Sequence, residues 1–163
     1  MAGSYALRAR FVDHPMPQSL HQAHGHIVFS TKNRERLIAG EIETELHAYL
    51  GGIVRDLGGT PIAINGIADH VHILIRASKS VADTDFIRQV KGGSSKWMTD
   101  QGFGHFKWQA GYGWFGVSAK DLSNARDYVE RQKEHHRNET FKEEFRRFLV
   151  RYGVDFDERY VWD

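Results

Sequence analysis

The chain has 163 residues, with 22 Lys and Arg against 21 Asp and Glu, ten His and no Cys. That is length enough for one domain with its own core. The lack of Cys excludes a disulfide framework, a thiol nucleophile and thiolate metal sites, so any metal must be held by His, carboxylate, amide or water. A net charge of +1 excludes a histone-like, uniformly basic protein; a nucleic-acid surface would have to gather its basic residues on one face.

Residues 1–20 hold two of the three prolines and show no periodicity. They read as an N-terminal arm ahead of a single domain at 21–163. The opening lacks the apolar stretch of a signal peptide, and no run reaches the roughly 18 apolar residues of a membrane span. A cytoplasmic protein without a membrane partner is expected. HGHIVFST (24–31) is β-rich and partly alternating, hence a strand, and a basic turn follows at 32–36. Ile42, Leu46, Tyr49, Leu50, Ile53 and Leu57 recur at helical spacing, and Gly58-Gly59 closes that helix. PIAINGIA (61–68) and HVHILIR (70–76) read as strands of a hairpin turning at Ala68-Asp69.

A second helix is expected from Ser80 to about Thr99, with Val81, Phe86, Val90, Trp97 and Met98 inward and an interruption at Gly92-Gly93. FKWQAGYGWFGVS (106–118) reads as a strand or broken hairpin. Asp121 or Ser123 caps a third helix reaching about Asn138, and 141–152 forms a short amphipathic helix before a tail. The order predicts an α+β fold: a ferredoxin-like βαββαβ sandwich with an antiparallel sheet, followed by a helix carrying Tyr128.

Two pairs of residues carry chemistry. His70 and His72 flank Val71 on a strand, so both imidazoles project from one face, with Cα atoms roughly 6.6–6.8 Å apart. One cation could bridge them, although His-x-His alone also occurs on strands that bind nothing. Tyr128 and Gln132 stack one helical turn apart. A phenol can serve as a covalent nucleophile, and an amide oxygen can complete a metal shell; a half-buried Tyr beside a solvated Gln is the plainer alternative. Together the four suit phosphodiester chemistry, in which a bound divalent ion polarises the phosphate and the Tyr oxygen attacks phosphorus. With a Tyr pKa near 10, the proton needs help to leave, and no general base stands out.

Lys32, Arg34, Arg36, Lys91, Lys96, Arg126 and Arg131 are candidates for phosphate contacts, or for ordinary solvated surface. Trp97, Phe106, Trp108, Tyr112, Trp114 and Phe115 read mainly as core. His24 and His26 repeat the His-x-His spacing without a Tyr helix of their own and are not taken as ligands; His135 and His136 read as surface or packing residues.

The stretches HIVFSTKNR (26–34), ADHVHILI (68–75), IRQVKGGSSKW (87–97), WQAGYGWFGVS (108–118) and YVERQKEHH (128–136) resemble the IS200/IS605 family of transposases, over roughly residues 22–162. The resemblance implies His70 and His72 as metal ligands with Gln132 as third, an Mg²⁺ or Mn²⁺ cofactor, and Tyr128 as nucleophile. It further implies cleavage of single-stranded DNA at hairpin-bearing mobile-element ends through a 5′-phosphotyrosine, without ATP or any small-molecule substrate. It also implies a homodimer in which the tyrosine helix of one subunit can complete the site of the other. Related domesticated proteins linked to palindromic repeats often carry Tyr-xxx-Asn-Pro; here the stretch is YVERQ, which favours the mobile-element enzyme. A hairpin-binding protein without catalysis and a water-using metal-dependent phosphodiesterase remain the two rival expectations.

Overall fold

The computed structural model describes residues 20–162, so all but the last residue of the expected N-terminal arm lies outside the described residues. In chain order the elements are β1 (His24–Ser30), α1 (Glu41–Asp56), β2 (Thr60–Ile67), β3 (His70–Arg76), α2 (Asp83–Asp100), β4 (Gly113–Val117), α3 (Leu122–Glu130), α4 (Gln132–His135) and α5 (Phe141–Arg151). The strands form one antiparallel sheet in the order β2-β3-β1-β4. This is the ferredoxin-like arrangement expected from the order of elements, with α3–α5 added after it.

The alternation of strand side chains builds two different layers. On one face Ile27, Phe29, Val71, Ile73 and Ile75 pack with Leu46, Leu50 and Val54 of α1 and Phe86, Val90 and Met98 of α2. On the other face Val28 and Phe115 meet Phe141, Phe145, Phe148 and Leu149 of α5. Because helices cover both faces, all seven residues of β1 are buried, which blurs its period-two pattern. Burying each large apolar side chain of α5 contributes roughly 1.5–3 kcal/mol, enough to hold that helix on the sheet. The chain's end is docked too: Phe156, Val161 and Trp162 pack on the same cluster, and Arg146 pairs with Glu158.

Three elements differ from expectation. α2 runs unbroken through Gly92-Gly93 and starts at Asp83 rather than Ser80; a Cβ at Gly93 would sit 3.1 Å from Ile53 Cδ1, so this glycine lets α2 approach α1 closely. The aromatic stretch from 106 is strand only at 113–117, since the Lys91 ammonium holds the carbonyls of Gln109, Ala110 and Gly111 as a loop. The third helix breaks at Arg131 (φ −101°, ψ 21°) into α3 and α4. Asn65 of β2 donates to the Glu130 carbonyl at 2.8 Å, and the Glu134 N–H bonds Arg131 O instead, so the regular ladder lapses there.

Candidate active site

The site lies between the sheet face opposite α1 and α2 and the helices α3–α5. In the register, His72 stands opposite Val28 of β1 and Asn65 of β2, and His70 opposite Ser30; both imidazoles therefore point toward α5 and are fully buried. The hairpin before them is tight: a Cβ at Gly66 would fall 2.2 Å from the His70 carbonyl oxygen, so only glycine fits.

Each ring is oriented from behind. Asp69 Oδ1 lies 2.7 Å from His70 Nδ1, and His26 Nε2 lies 2.8 Å from His72 Nδ1, leaving both Nε2 atoms free to face inward. The Glu144 carboxylate from α5 meets them. Its Oε2 is 3.2 Å from His72 Nε2, 3.0 Å from His136 Nε2 and 3.7 Å from His70 Nε2. One donor atom from each of these four residues falls within 4.8 Å of all the others.

Two buried polar atoms in this nest make no hydrogen bond, His70 Nε2 and Gln132 Oε1. Buried polar atoms are rarely left unpaired. Two orphans beside a shared carboxylate are what a site for a divalent cation presents, and its nitrogen and oxygen donors suit Mn²⁺ at least as well as Mg²⁺. The residues present therefore fit a metal centre.

Tyr128 joins the site from α3. Its hydroxyl donates to Glu144 Oε1 and accepts from Arg147 Nη2 at 3.1 Å. The ring stacks on His135 at 4.5 Å between centroids and meets Phe148 edge-on at 5.6 Å. Gln132, fully buried, points its amide nitrogen at Glu144 Oε1, 3.3 Å away. Tyr128 and His72 belong to one chain, with ring centroids 6.1 Å apart.

Burial dominates the electrostatics. It pushes the Tyr128 phenol well above its ordinary value, with the Glu144 charge adding to the shift and Arg147 opposing it. Burial lowers His26 to about 3, helped by His72, and lowers His72 to about 4 against the pull of Glu144. Burial alone would raise Glu144, but the His72 charge and hydrogen bonds from His136 and His72 hold it well below the usual carboxylate range. Burial would likewise lower His136, and the Glu144 hydrogen bond overcomes it and raises the ring.

The residues singled out from sequence divide into those the fold gathers and those it leaves outside. His70, His72, Tyr128 and Gln132 converge. His136, read as surface or packing, enters the cluster, and His26, set aside as a non-ligand, stands outside the donor group and orients His72 from behind. Glu144 and Arg147 were not anticipated. The signal for Glu144 was present: it lies on the stripe of Phe141, Phe145 and Phe148, where a solvated carboxylate has no reason to sit.

The basic candidates are scattered. Lys91 is committed to three loop carbonyls, and burial lowers it to about 8, so it is not a phosphate grip. Lys96, Arg126 and Arg131 form exposed same-helix or adjacent-turn pairs with Asp100, Glu130 and Glu134. Arg34 donates to the Trp162 carbonyl at 3.0 Å. Lys32 is exposed, and Arg36 is close enough to help lower the Asp69 carboxyl behind His70, after the hydrogen bond and charge of His70 itself and against burial, the largest influence.

The chain is similar to known proteins in sequence and in fold. The family model described as "Transposase IS200 like" matches residues 19–132. The ISDra2 transposase TnpA of Deinococcus radiodurans is 27% identical over 120 residues, covering 69% of this chain and 86% of that protein. A crystal structure of a candidate transposase from Deinococcus radiodurans R1 superposes with a TM-score of 0.58 at 23% identity, covering 73% of this chain and 97% of the other. A REP-associated tyrosine transposase bound to a REP hairpin gives a TM-score of 0.56 at 14% identity, covering 76% and 74%. The two structural matches bear on fold.

Proposed function

The chain belongs to the family of IS200-like transposases, and from that premise we propose that it is a divalent-metal-dependent transposase that cuts and rejoins single-stranded DNA with Tyr128 as nucleophile. The observation that carries this reading is the shared carboxylate. Glu144 receives the Tyr128 hydroxyl on one oxygen and faces His70, His72 and His136 with the other.

A cation would be held by His70, His72 and Gln132, with Glu144 and His136 within reach, and when bound it supplies charge neutralisation at the phosphoryl oxygens. The protein's own residues do the rest. Tyr128 Oη forms a bond to phosphorus while the bond from phosphorus to the 3′ oxygen breaks. The 5′ phosphate stays on the tyrosine, and the leaving oxygen takes a proton to become a 3′ hydroxyl. The Tyr128 proton leaves along its hydrogen bond to Glu144. That carboxylate is too acidic to hold it alone, so transfer runs in step with attack. Arg147, already on the phenol oxygen, balances the charge that develops there. Rejoining reverses these steps with a second 3′ hydroxyl and needs no ATP, because the phosphotyrosine keeps the energy of the phosphodiester.

Hairpin DNA is proposed as the recognised feature, supported by the hairpin bound to the REP-associated structural relative. A homodimer is carried over from the family resemblance. The test uses single-stranded DNA from the flanks of the gene, labelled 3′ of the cut, with Mn²⁺ or Mg²⁺, resolved on a denaturing gel. A protein–DNA adduct that requires metal and is lost in Tyr128→Phe and His72→Ala is the expected result. Cleavage by Tyr128→Phe at the wild-type rate, with no adduct in either protein, would establish water as the nucleophile instead. Tight hairpin binding without any cleavage would mark a binding protein.

A further inference from the structure

Beside Tyr128, with His26 on its wall, a pocket of about 270 Å³ opens between α3 and α5 over the end of β4. It is lined by Asn124 and Tyr128 from α3, by Arg147 and Arg151 from α5, and by Tyr152 just beyond that helix. Spacing explains the convergence. Asn124 and Tyr128 stand one turn apart on α3, and Arg147 and Arg151 one turn apart on α5.

We infer that this pocket holds the nucleotide that keeps the scissile phosphate, the first one 3′ of the cut; the inference rests on the reading of Tyr128 as nucleophile. Three observations carry it. Arg147 touches the Tyr128 hydroxyl at 3.1 Å, so the pocket begins where phosphorus must sit. The Arg151 guanidinium lines the pocket, is exposed, and makes no ion pair or hydrogen bond among the described residues. Tyr152 leaves 41% of its surface open while its ring leans on Phe115 at 4.9 Å, a platform backed by the core.

The chemistry selects which nucleotide enters. In-line attack requires the leaving 3′ oxygen to lie opposite Tyr128. The strand that departs therefore points away from this tyrosine, and the retained 5′-phosphorylated nucleotide lies to its side. The pocket on that side offers the unpaired Arg151 guanidinium for the phosphate, beside Arg147, which is itself paired with Glu139, a ring for base stacking, and the Asn124 amide, which has no hydrogen bond among the described residues, for a base edge. The substrate class is thus a 5′-phosphorylated single strand, with base choice at its first position set by Asn124.

The experiment measures anisotropy of four 5′-phosphorylated, 3′-fluorescein single-stranded tetranucleotides that differ in the first base. Arg151→Ala and Tyr152→Ala should each weaken binding on the order of tenfold. Arg151→Ala should also lower the slope of log affinity against log salt by about 0.7, the signature of one lost phosphate contact, which a merely structural defect does not produce. Asn124→Ala should flatten the ranking of the four first bases, Tyr152→Phe should keep wild-type affinity, and the distant Arg88→Ala should change nothing. Thermal melts by circular dichroism confirm that each variant is folded. The proposal is overturned if wild type does not bind these probes, or if folded Arg151→Ala and Tyr152→Ala match wild type. Adduct formation is scored separately. Tetranucleotide binding lost in these variants, with no adduct in wild type, overturns the nucleophile assignment and leaves a nucleotide pocket. An adduct in wild type with no effect of the variants on binding overturns the pocket alone.

Discussion

Glu144 is the residue on which the site turns. A fully buried carboxylate is costly unless its lone pairs are used, and here two histidines and the tyrosine hydroxyl use them. Replacing it by Gln keeps the shape but removes the charge. We expect Glu144→Gln to lower Mn²⁺ affinity by roughly 10–100-fold, measured by calorimetry, and to destabilise the metal-free protein by about 1–3 kcal/mol. Unchanged Mn²⁺ affinity would place the carboxylate outside the metal shell. The same cluster sets the response to pH. His26 and His72 stay neutral in the folded, metal-free protein down to about 3 and about 4, against an ordinary value of 6.5. Between those limits the unfolded chain binds more protons, so stability falls as pH falls, by up to about 1.4 kcal/mol per pH unit for each ring. Glu144, held below its ordinary 4.5, adds a loss in the same direction at lower pH. His136 is raised, so its contribution is present in acid and lost as pH rises through its folded value; one ring does not outweigh two. Melting temperatures of the metal-free protein should drop steadily from pH 7 to 4, and a flat profile would contradict the buried, neutral assignment.

At the scale of elements, α5 both covers the sheet and delivers Glu144 and Arg147. Its start is fixed by a capping box in which Thr140 accepts from the Glu143 N–H while the Glu143 side chain accepts from the Thr140 N–H. Glu144 follows immediately, so fraying of this turn moves the carboxylate. Thr140→Ala is expected to cost about 1 kcal/mol in denaturant unfolding and to weaken Mn²⁺ binding as well. A stability loss without any change in Mn²⁺ binding would show that the first turn does not position Glu144. The break at Arg131 matters in the same way. By ending α3, the Asn65 bond to Glu130 lets Gln132 and His136 turn toward the histidines, whereas one straight helix would carry its later residues past them.

For the whole molecule, the decisive fact is that one chain holds both the proposed nucleophile, Tyr128, and the proposed metal donors. The family resemblance allows a tyrosine helix to serve a partner subunit. Here Tyr128 is bonded to Glu144 and Arg147 of its own chain, and α3 is joined to β4 by only a short turn. Mixing Tyr128→Phe with His72→Ala should therefore restore no adduct. Recovery of activity in the mixture would show that tyrosine helices exchange between subunits. Among the described residues no helix is long and apolar enough to cross a membrane.

Local sequence by itself determined the sheet, both crossover helices and the pairing of His70 with His72, because period-two and period-3.6 spacing are properties of neighbouring residues; it put Tyr128 and Gln132 one turn apart but gave no sign of the break at Arg131 between them. It also carried the family likeness. What it did not determine was the rest of the buried nest. His26 comes from β1, His136 from the turn after α4, and Glu144 and Arg147 from α5, and the last three lie beyond the segment matched by the family model. Each has a plain local reading as a strand, loop or helix-surface residue. Only the docking of α5 on the sheet gives Glu144 its neighbours, and the same packing that buries Phe145 and Phe148 obliges that carboxylate to find the imidazoles and the phenol. Tertiary structure decided the chemistry there because burial, not residue type, is what forces buried polar groups to pair.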